Sequence, residues 1–217
     1  MTTRVAGLGA GGHARVLIEA LRLGALYEVA GLMDADPGLA GSSVTGVPVL
    51  GDDRLLADLS ERGIRHFFIG VGSTRAGAIR QRLYDLAVRN GLCPIQVVHP
   101  AAIVAPSAQV GPGAAILAGA IIGTAARLGT NVIVNTGAIV EHDSVLGDHA
   151  HVATGARLAG GVTVGENAFV GIGASIRQGV RIGTGATVGA GAVVVRDVPD
   201  GLVVIGVPAR IMEPRSA

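Results

Sequence analysis

The 217-residue chain has no lysine, no tryptophan and a single cysteine, and its formal net charge is only +1. Each shortage excludes a class of function. Without lysine there is neither a Schiff-base amine nor a P-loop lysine, and every basic residue but histidine is arginine. Aromatic residues make up 2% of the chain, too few to build stacking platforms for single-stranded nucleic acid. A charge this close to zero supplies no basic surface that argues for nucleic acid as a partner. One cysteine, Cys93, rules out an internal disulfide and a cysteine zinc cage. No apolar run is long enough for a membrane span, and the opening Met-Thr-Thr-Arg-Val-Ala-Gly lacks the apolar core of a signal peptide. The expectation is a soluble cytoplasmic protein.

Glycine is what the chain has in excess, with 35 residues, alongside 49% hydrophobic residues. Its second half is periodic. Every sixth residue from Val104 to Val194 is aliphatic, and every sixth from Ala108 to Ala192 is alanine, valine or serine. A period of six fits neither the 3.6 of a helix nor the 2 of an amphipathic strand, but it fits a β-helix of short strands and tight turns. Aliphatic residues then point inward, and Gly111, Gly123, Gly129, Gly147, Gly165, Gly183 and Gly189 are expected to take the turns.

The first half reads differently. A short buried strand over residues 4–8 runs into Gly-Ala-Gly-Gly-His-Ala-Arg, where Gly7, Gly9 and Gly12 satisfy G-x-G-x-x-G. A helix over 13–23, a strand over 28–33, a helix over 53–62, a strand over 66–71 and a helix over 74–90 follow. The alternation predicts a parallel α/β sheet with a helix N-terminus behind a glycine loop, suited to phosphate or pyrophosphate. One reading is an NAD-type site with Asp34 on a ribose hydroxyl. The segment is too short for both mononucleotide halves, so a nucleotide-sugar site is preferred. We place the boundary between a Rossmann-like domain, 1–97, and a β-helix domain, 98–217.

Three histidines fall close together in Glu141-His142-Asp143-Ser-Val-Leu-Gly-Asp-His149-Ala-His151. His142 lies between two acids, and a carboxylate raises an imidazole's basicity and fixes its tautomer, as a general base requires. If three hexapeptides close one coil, position 160 stacks on position 142, and the N–H of Gly160 is placed to hold an oxyanion. His149 stacks between Asn131 and Asn167, which reads as a solvated polar face with a structural role. Cys93 precedes the repeat, so a cysteine nucleophile is not expected.

The six-residue pattern resembles that of the left-handed β-helix acyltransferases, in which three hexapeptides make one triangular coil and three chains form a trimer. The stretches from Asn135 to Ser144 and from His151 to Gly160, with Gly9-Ala-Gly-Gly-His13, Phe68-Ile-Gly-Val-Gly72 and Gly206-Val-Pro-Ala-Arg210, resemble the bacterial NeuD/PglD-type sugar acyltransferases. That family includes sialic acid O-acetyltransferases and N-acetyltransferases of UDP- or GDP-linked amino sugars. The resemblance implies acetyl-coenzyme A as cosubstrate, a nucleotide-linked amino sugar as acceptor, and no metal or permanently bound cofactor. It gives His142 the role of base and Asp143 that of its supporting carboxylate. His151, Ile172 and Ala190 match acetyl-coenzyme A contacts, with Gly160 as a backbone donor near the thioester. Gly11, Gly12 and His13 match the phosphate loop, Asp34 and Gly72 the surroundings of base and ribose, and Asn135 a sugar contact. Some members carry two consecutive acids where this chain has Asp34-Ala-Asp36, so the base is left open. A zinc enzyme of the γ-carbonic-anhydrase type and a non-catalytic nucleotide-binding protein are the other classes weighed.

Overall fold

The computed structural model describes residues 2–72 and 78–212. The chain divides into two compact units, one of Met1–Gly72 with Ala78–Pro100 and the other chiefly Ala101–Ala217.

In the first unit, β1 (Thr3–Leu8) is followed by α1 (Gly12–Gly24) and β2 (Tyr27–Met33). Helix α1 forms because Ala14, Leu17, Ile18 and Leu21 recur at helical spacing and bury one face. It ends at Ala25, whose left-handed conformation turns its N–H back to the carbonyls of Leu21 and Arg22. A hairpin of β3 (Ser43–Val44) and β4 (Val47–Gly51) precedes a short helix, α2 (Leu56–Leu59). Then come β5 (His66–Ile69), α3 (Ala78–Arg89) and β6 (Cys93–Pro94). The sheet order is β3-β4-β2-β1-β5-β6, parallel throughout except for the β3–β4 hairpin. The helix expected over 53–62 is mostly absent. Residues Asp53–Leu55 form a 3₁₀ turn, and the Ile64 N–H returns to the Leu59 carbonyl past Gly63 at φ 73°, which stops α2 after one turn. The start expected for α3, at 74–77, lies outside the described residues.

The second unit is a left-handed β-helix. Two-residue strands pair in parallel with partners eighteen residues away, as in Ala115↔Ile133 and Ile133↔His151. Three faces result. The first carries Ile133–Val134, His151–Val152 and Phe169–Val170; the second Ile121–Ile122, Ile139–Val140 and Arg157–Leu158; the third Arg127–Leu128, Val145–Leu146 and Thr163–Val164. The second residue of each pair enters the core, where Val134, Val140, Val152 and Val170 have no exposed surface. At the far end Val203–Ile205 continues the first face, and Arg210–Ile211 pairs antiparallel to it, covering the open sheet edge.

The glycines named above do not take left-handed turns. Positive φ instead occurs two residues later, at every sixth residue from Gly113 to Gly191, including Ala125, Asn131, Asp143, His149 and Asn167. Gly111, Gly129, Gly147, Gly165 and Gly183 are required for another reason. The next coil's backbone occupies the space of a side chain, so a Cβ on Gly147 would sit 2.6 Å from the Glu166 nitrogen. A Cβ on Gly155, at φ 65°, meets nothing within 4 Å.

These two kinds of glycine predict two kinds of damage. Gly147→Ala forces coils apart and is expected to cost about 1–3 kcal/mol, as overpacking does. Gly155→Ala costs about 1 kcal/mol of backbone strain, a change that Ala125 shows the turn accepts. Thermal unfolding of the two variants checks the order; equal midpoints would contradict it.

Candidate functional site

His142 stands on the turn between the second and third faces. Its Nδ1 donates to Asp143 Oδ2 at 2.8 Å, and both side chains are exposed. Asp143 occupies a left-handed turn position, φ 59°, that other coils fill mostly with glycine or asparagine. An aspartate there costs on the order of 1 kcal/mol relative to glycine, and it brings a carboxylate against the neighbouring ring. That hydrogen bond raises the His142 pKa above its ordinary value, with the charges of Asp143 and Glu141 adding to it and partial desolvation opposing it. With Nδ1–H held by Asp143, the lone pair of the neutral ring lies on Nε2.

Gly160 lies beside that nitrogen, as the eighteen-residue step predicts. The Gly161 N–H donates to the His142 carbonyl at 2.8 Å, and a Cβ on residue 160 would collide with His142 Nε2. Among the described residues the Gly160 N–H has no protein acceptor, while its carbonyl accepts from Gly179. A base nitrogen, a carboxylate that orients it and an unused N–H donor thus share one corner of the helix. This suits deprotonation of a nucleophile beside a developing oxyanion.

The other expected β-helix residues stand elsewhere. Asn135, Ile172 and Ala190 are on the turn between the first and second faces, where Ile172 and Ala190 are exposed and one coil apart. His151 is on the first face, 5% exposed, edge-on to Phe169 at 5.2 Å and hydrogen-bonded to Asn135 Nδ2 at 3.3 Å. Only a sliver of its ring is open to a ligand. His149 is on the third-to-first turn, and the solvated face expected there is absent. Asn131 and His149 are 1% and 5% exposed and bonded to each other at 3.0 Å. Side chains at this register stack directly on one another, so the polar column covers itself. The three histidines therefore do not converge, and no group of three or more His, Cys, Asp or Glu among the described residues is placed to hold a metal.

In the first unit, the glycine signature separates into two jobs. Gly7 and Gly9 are packed too closely for side chains, because Cβ atoms there would lie 2.5 Å from Phe68 and from Val71. Gly11 and Gly12 face open space, and among the described residues their N–H groups and that of His13 meet no protein acceptor. Helix α1 begins at this point with no capping side chain and no acid in its first turn. The result is a set of unspent amides with the positive end of a helix behind them. Asp34 holds the loop in place, its two oxygens accepting the Ala10 N–H at 2.7 Å and the Asp36 N–H at 3.0 Å. Gly72 packs against His13, with a Cβ there 3.4 Å from that of His13.

Sequence reasoning missed Arg80. On α3, within Arg-Gln-Arg, it resembles any surface arginine, yet it is 1% exposed, and burial lowers its pKa to about 10. Burial, with the Arg80 charge nearby, lowers the His13 pKa to about 4 and keeps that ring neutral. Only the three-dimensional packing reveals this buried cation behind the loop.

The two histidines are expected to titrate in opposite directions in an NMR pH series. His142 should titrate above 6.5 and fall back on Asp143→Ala, while His13 stays neutral until about pH 4. Between pH 4 and 6.5 the unfolded chain binds the His13 proton and the folded one does not, so stability falls as pH drops through that window. His13→Leu should flatten that part of the stability profile.

Two family models match the chain: the PglD N-terminal domain over residues 4–86 and the bacterial transferase hexapeptide, six repeats, over residues 161–196. Among solved structures, PerB from Caulobacter crescentus, a GDP-perosamine N-acetyltransferase in complex with CoA and GDP-perosamine, is 44% identical. The match covers 98% of this chain and 99% of that one, with a TM-score of 0.92. The acetyltransferase domain of PglB from Neisseria gonorrhoeae, in complex with acetyl coenzyme A, is 37% identical over 98% of this chain and 100% of that one, TM-score 0.89. The redox-sensing transcriptional repressor Rex of Streptomyces coelicolor is 39% identical over 80 residues, which are 37% of this chain; the chain spans less than a third of that protein. Full-length likeness at these identities makes the chain a member of the PglD-type hexapeptide-repeat family of sugar N-acetyltransferases, alongside PerB and the PglB acetyltransferase domain.

Proposed function

We propose that this protein transfers the acetyl group of acetyl-coenzyme A to the amino group of a nucleotide-linked amino sugar. The observation that carries this is the His142–Asp143 pair, with His142 Nε2 over Gly160 and its unused N–H. In this reading the sugar nitrogen attacks the thioester carbon directly. The C–N bond forms as His142 Nε2 takes the amine proton, and the Gly160 N–H holds the oxyanion. Collapse breaks the C–S bond, and the departing coenzyme A thiolate takes the proton back from the imidazolium. Gly11, Gly12 and His13 hold the diphosphate, Asp34 and Gly72 shape the base and ribose region, and Asn135 meets the sugar. His151, Ile172 and Ala190 line the coenzyme A path.

The placement of these residues supports a shared site. Six residues separate successive turns, on the order of 15–20 Å along one face at the rise of a strand. His142 and the Ile172–Ala190 edge, matched to the pantetheine channel, therefore stand at different corners of one chain. A second copy laid edge to edge supplies the missing side, and the resemblance to the trimeric left-handed β-helix acyltransferases makes a homotrimer the assembly proposed. The reaction belongs where acetyl-coenzyme A and nucleotide sugars are made, in the cytoplasm, on the way to a bacterial surface glycan. Among the described residues no helix is long and apolar enough to cross a membrane.

Thiol release from acetyl-coenzyme A, offered UDP-, GDP- and dTDP-linked amino sugars and free sialic acid, tests the reaction. Release with a nucleotide amino sugar is expected. Release with sialic acid alone would make the protein an O-acetyltransferase. His142→Asn should lower kcat by about two to four orders of magnitude with the fold intact; a rate within twofold of the parent would remove His142 from the mechanism. Because His142 must be neutral to act, activity is lost as pH falls through its raised pKa. Asp143→Asn lowers that pKa, so the acid limb of the kcat profile should move to lower pH while the plateau drops. The shared site predicts that His142→Ala and Ile172→Arg proteins, each weak alone, regain activity when unfolded and refolded together.

A further inference from the structure

One residue breaks the rule of its register. Every sixth position from Ala108 to Ala192 is alanine or valine except 144, which is serine. Ser144 has no exposed surface, and it is the one buried serine or threonine among the described residues. A hydroxyl in the apolar lining of a coil costs free energy unless it is bonded. Its Oγ donates to the carbonyl of Ala159, in the following coil, at 3.3 Å. Among the described residues that carbonyl accepts no backbone N–H. At the same register one coil before and after, the Glu141 and Arg177 carbonyls accept turn bonds from the Ser144 and Val180 N–H groups, but Val162 makes no such bond to Ala159. The serine thus stands in the coil of His142, and its hydroxyl supplies the bond that the next turn lacks.

We infer that Ser144 is a positioning residue for the oxyanion donor. The inference rests on the role proposed above for the Gly160 N–H. The Ala159 carbonyl and the Gly160 N–H belong to one peptide group, planar and trans, in which the two bonds point in opposite directions. A buried hydroxyl that holds the oxygen on the inner side of the turn therefore aims the N–H outward. It also polarises the group, since electron density drawn to the oxygen makes the N–H a stronger donor. At 3.3 Å the bond is long for a hydroxyl. An oxyanion on the N–H side pushes further negative charge onto the carbonyl oxygen, so the bond strengthens as the transition state forms. An interaction that strengthens only then raises kcat and leaves substrate binding unchanged. Being buried, Ser144 reaches no substrate and acts through the Ala159–Gly160 peptide.

Thiol release from acetyl-coenzyme A on the UDP-, GDP- and dTDP-linked amino sugars tests this in three variants. Alanine and valine occupy this register in other coils, at Ala126 and Val162, so the substitutions suit the fold. Ser144→Ala is expected to lower kcat about three- to tenfold, the range for one hydrogen bond. Its KM for acetyl-coenzyme A should stay within twofold of the parent's, and the acid limb of its kcat profile should not move, in contrast to Asp143→Asn. Ser144→Thr and Ser144→Val have the same shape and differ in the hydroxyl, so threonine should keep more of the parent's kcat than valine. A Ser144→Ala kcat equal to the parent's, equal kcat for the threonine and valine variants, or a shifted acid limb would each overturn the assignment and leave the acetyl transfer standing. A parent protein that releases no thiol with any of these acceptors would overturn both.

Discussion

The second unit depends on backbone resting on backbone. Each coil donates N–H groups to carbonyls of the coil eighteen residues on, as Ile133 does to Ala150 and Gly147 to Val164. At the third-to-first corner the approach is so close that Gly111, Gly129, Gly147, Gly165 and Gly183 leave no room for a Cβ. That corner is purely structural, and its next register carries the buried Asn131–His149 bond. The other two corners are looser in the middle coils. Glu141 and Asn135 occupy there the register that is glycine at the tight corner, so side chains can gather outside the core. His142 and Asp143 sit at one looser corner, and Asn135, Ile172 and Ala190 at the other.

Within the His142 corner, conformation and chemistry are linked. The left-handed turn at residue 143 is compulsory in every coil from Gly113 onward, and asparagine or aspartate accepts it at modest cost. Placing aspartate there sets its carboxylate 2.8 Å from the preceding imidazole, with no other element needed to hold it. The next coil contributes a residue with no side chain, so the second ring nitrogen stays accessible beside a free N–H. Two consecutive residues and one stacking step therefore bring together the imidazole, the acid that orients it and the unused N–H, the groups proposed as base, supporting carboxylate and oxyanion donor.

The first unit shows a similar division of labour among its glycines. Gly7 and Gly9 are glycine because Phe68 and Val71 press on the β1–α1 turn, while Gly11 and Gly12 leave the amides of α1 uncovered. Asp34 holds this loop instead of standing free at the end of β2. Asp53 meets Arg82 in a loose ion pair at 3.5 Å, away from the position that the G-x-G-x-x-G pattern draws attention to. A pattern of spacing locates the loop, but which carboxylate remains unspent depends on backbone hydrogen bonds that the spacing does not encode.

The sequence by itself determined the coil, because a six-residue period in aliphatic and small residues has only one way to bury itself, by stacking. With the eighteen-residue coil that the resemblance implies, it also placed Gly160 on His142, and it placed Asp143 next to the ring. It placed the glycines of the 111 register at the turns but not the reason for them, because close approach and left-handed φ select the same residue. It also read the Asn131–His149–Asn167 column as solvated, since periodicity gives neighbours but not burial. The burial of Arg80, the commitment of Asp34 to Ala10 and the meeting of Asp53 with Arg82 across α3 were decided only by the tertiary structure. In the α/β unit contacts join segments with no common period, so which polar groups are satisfied is settled by packing.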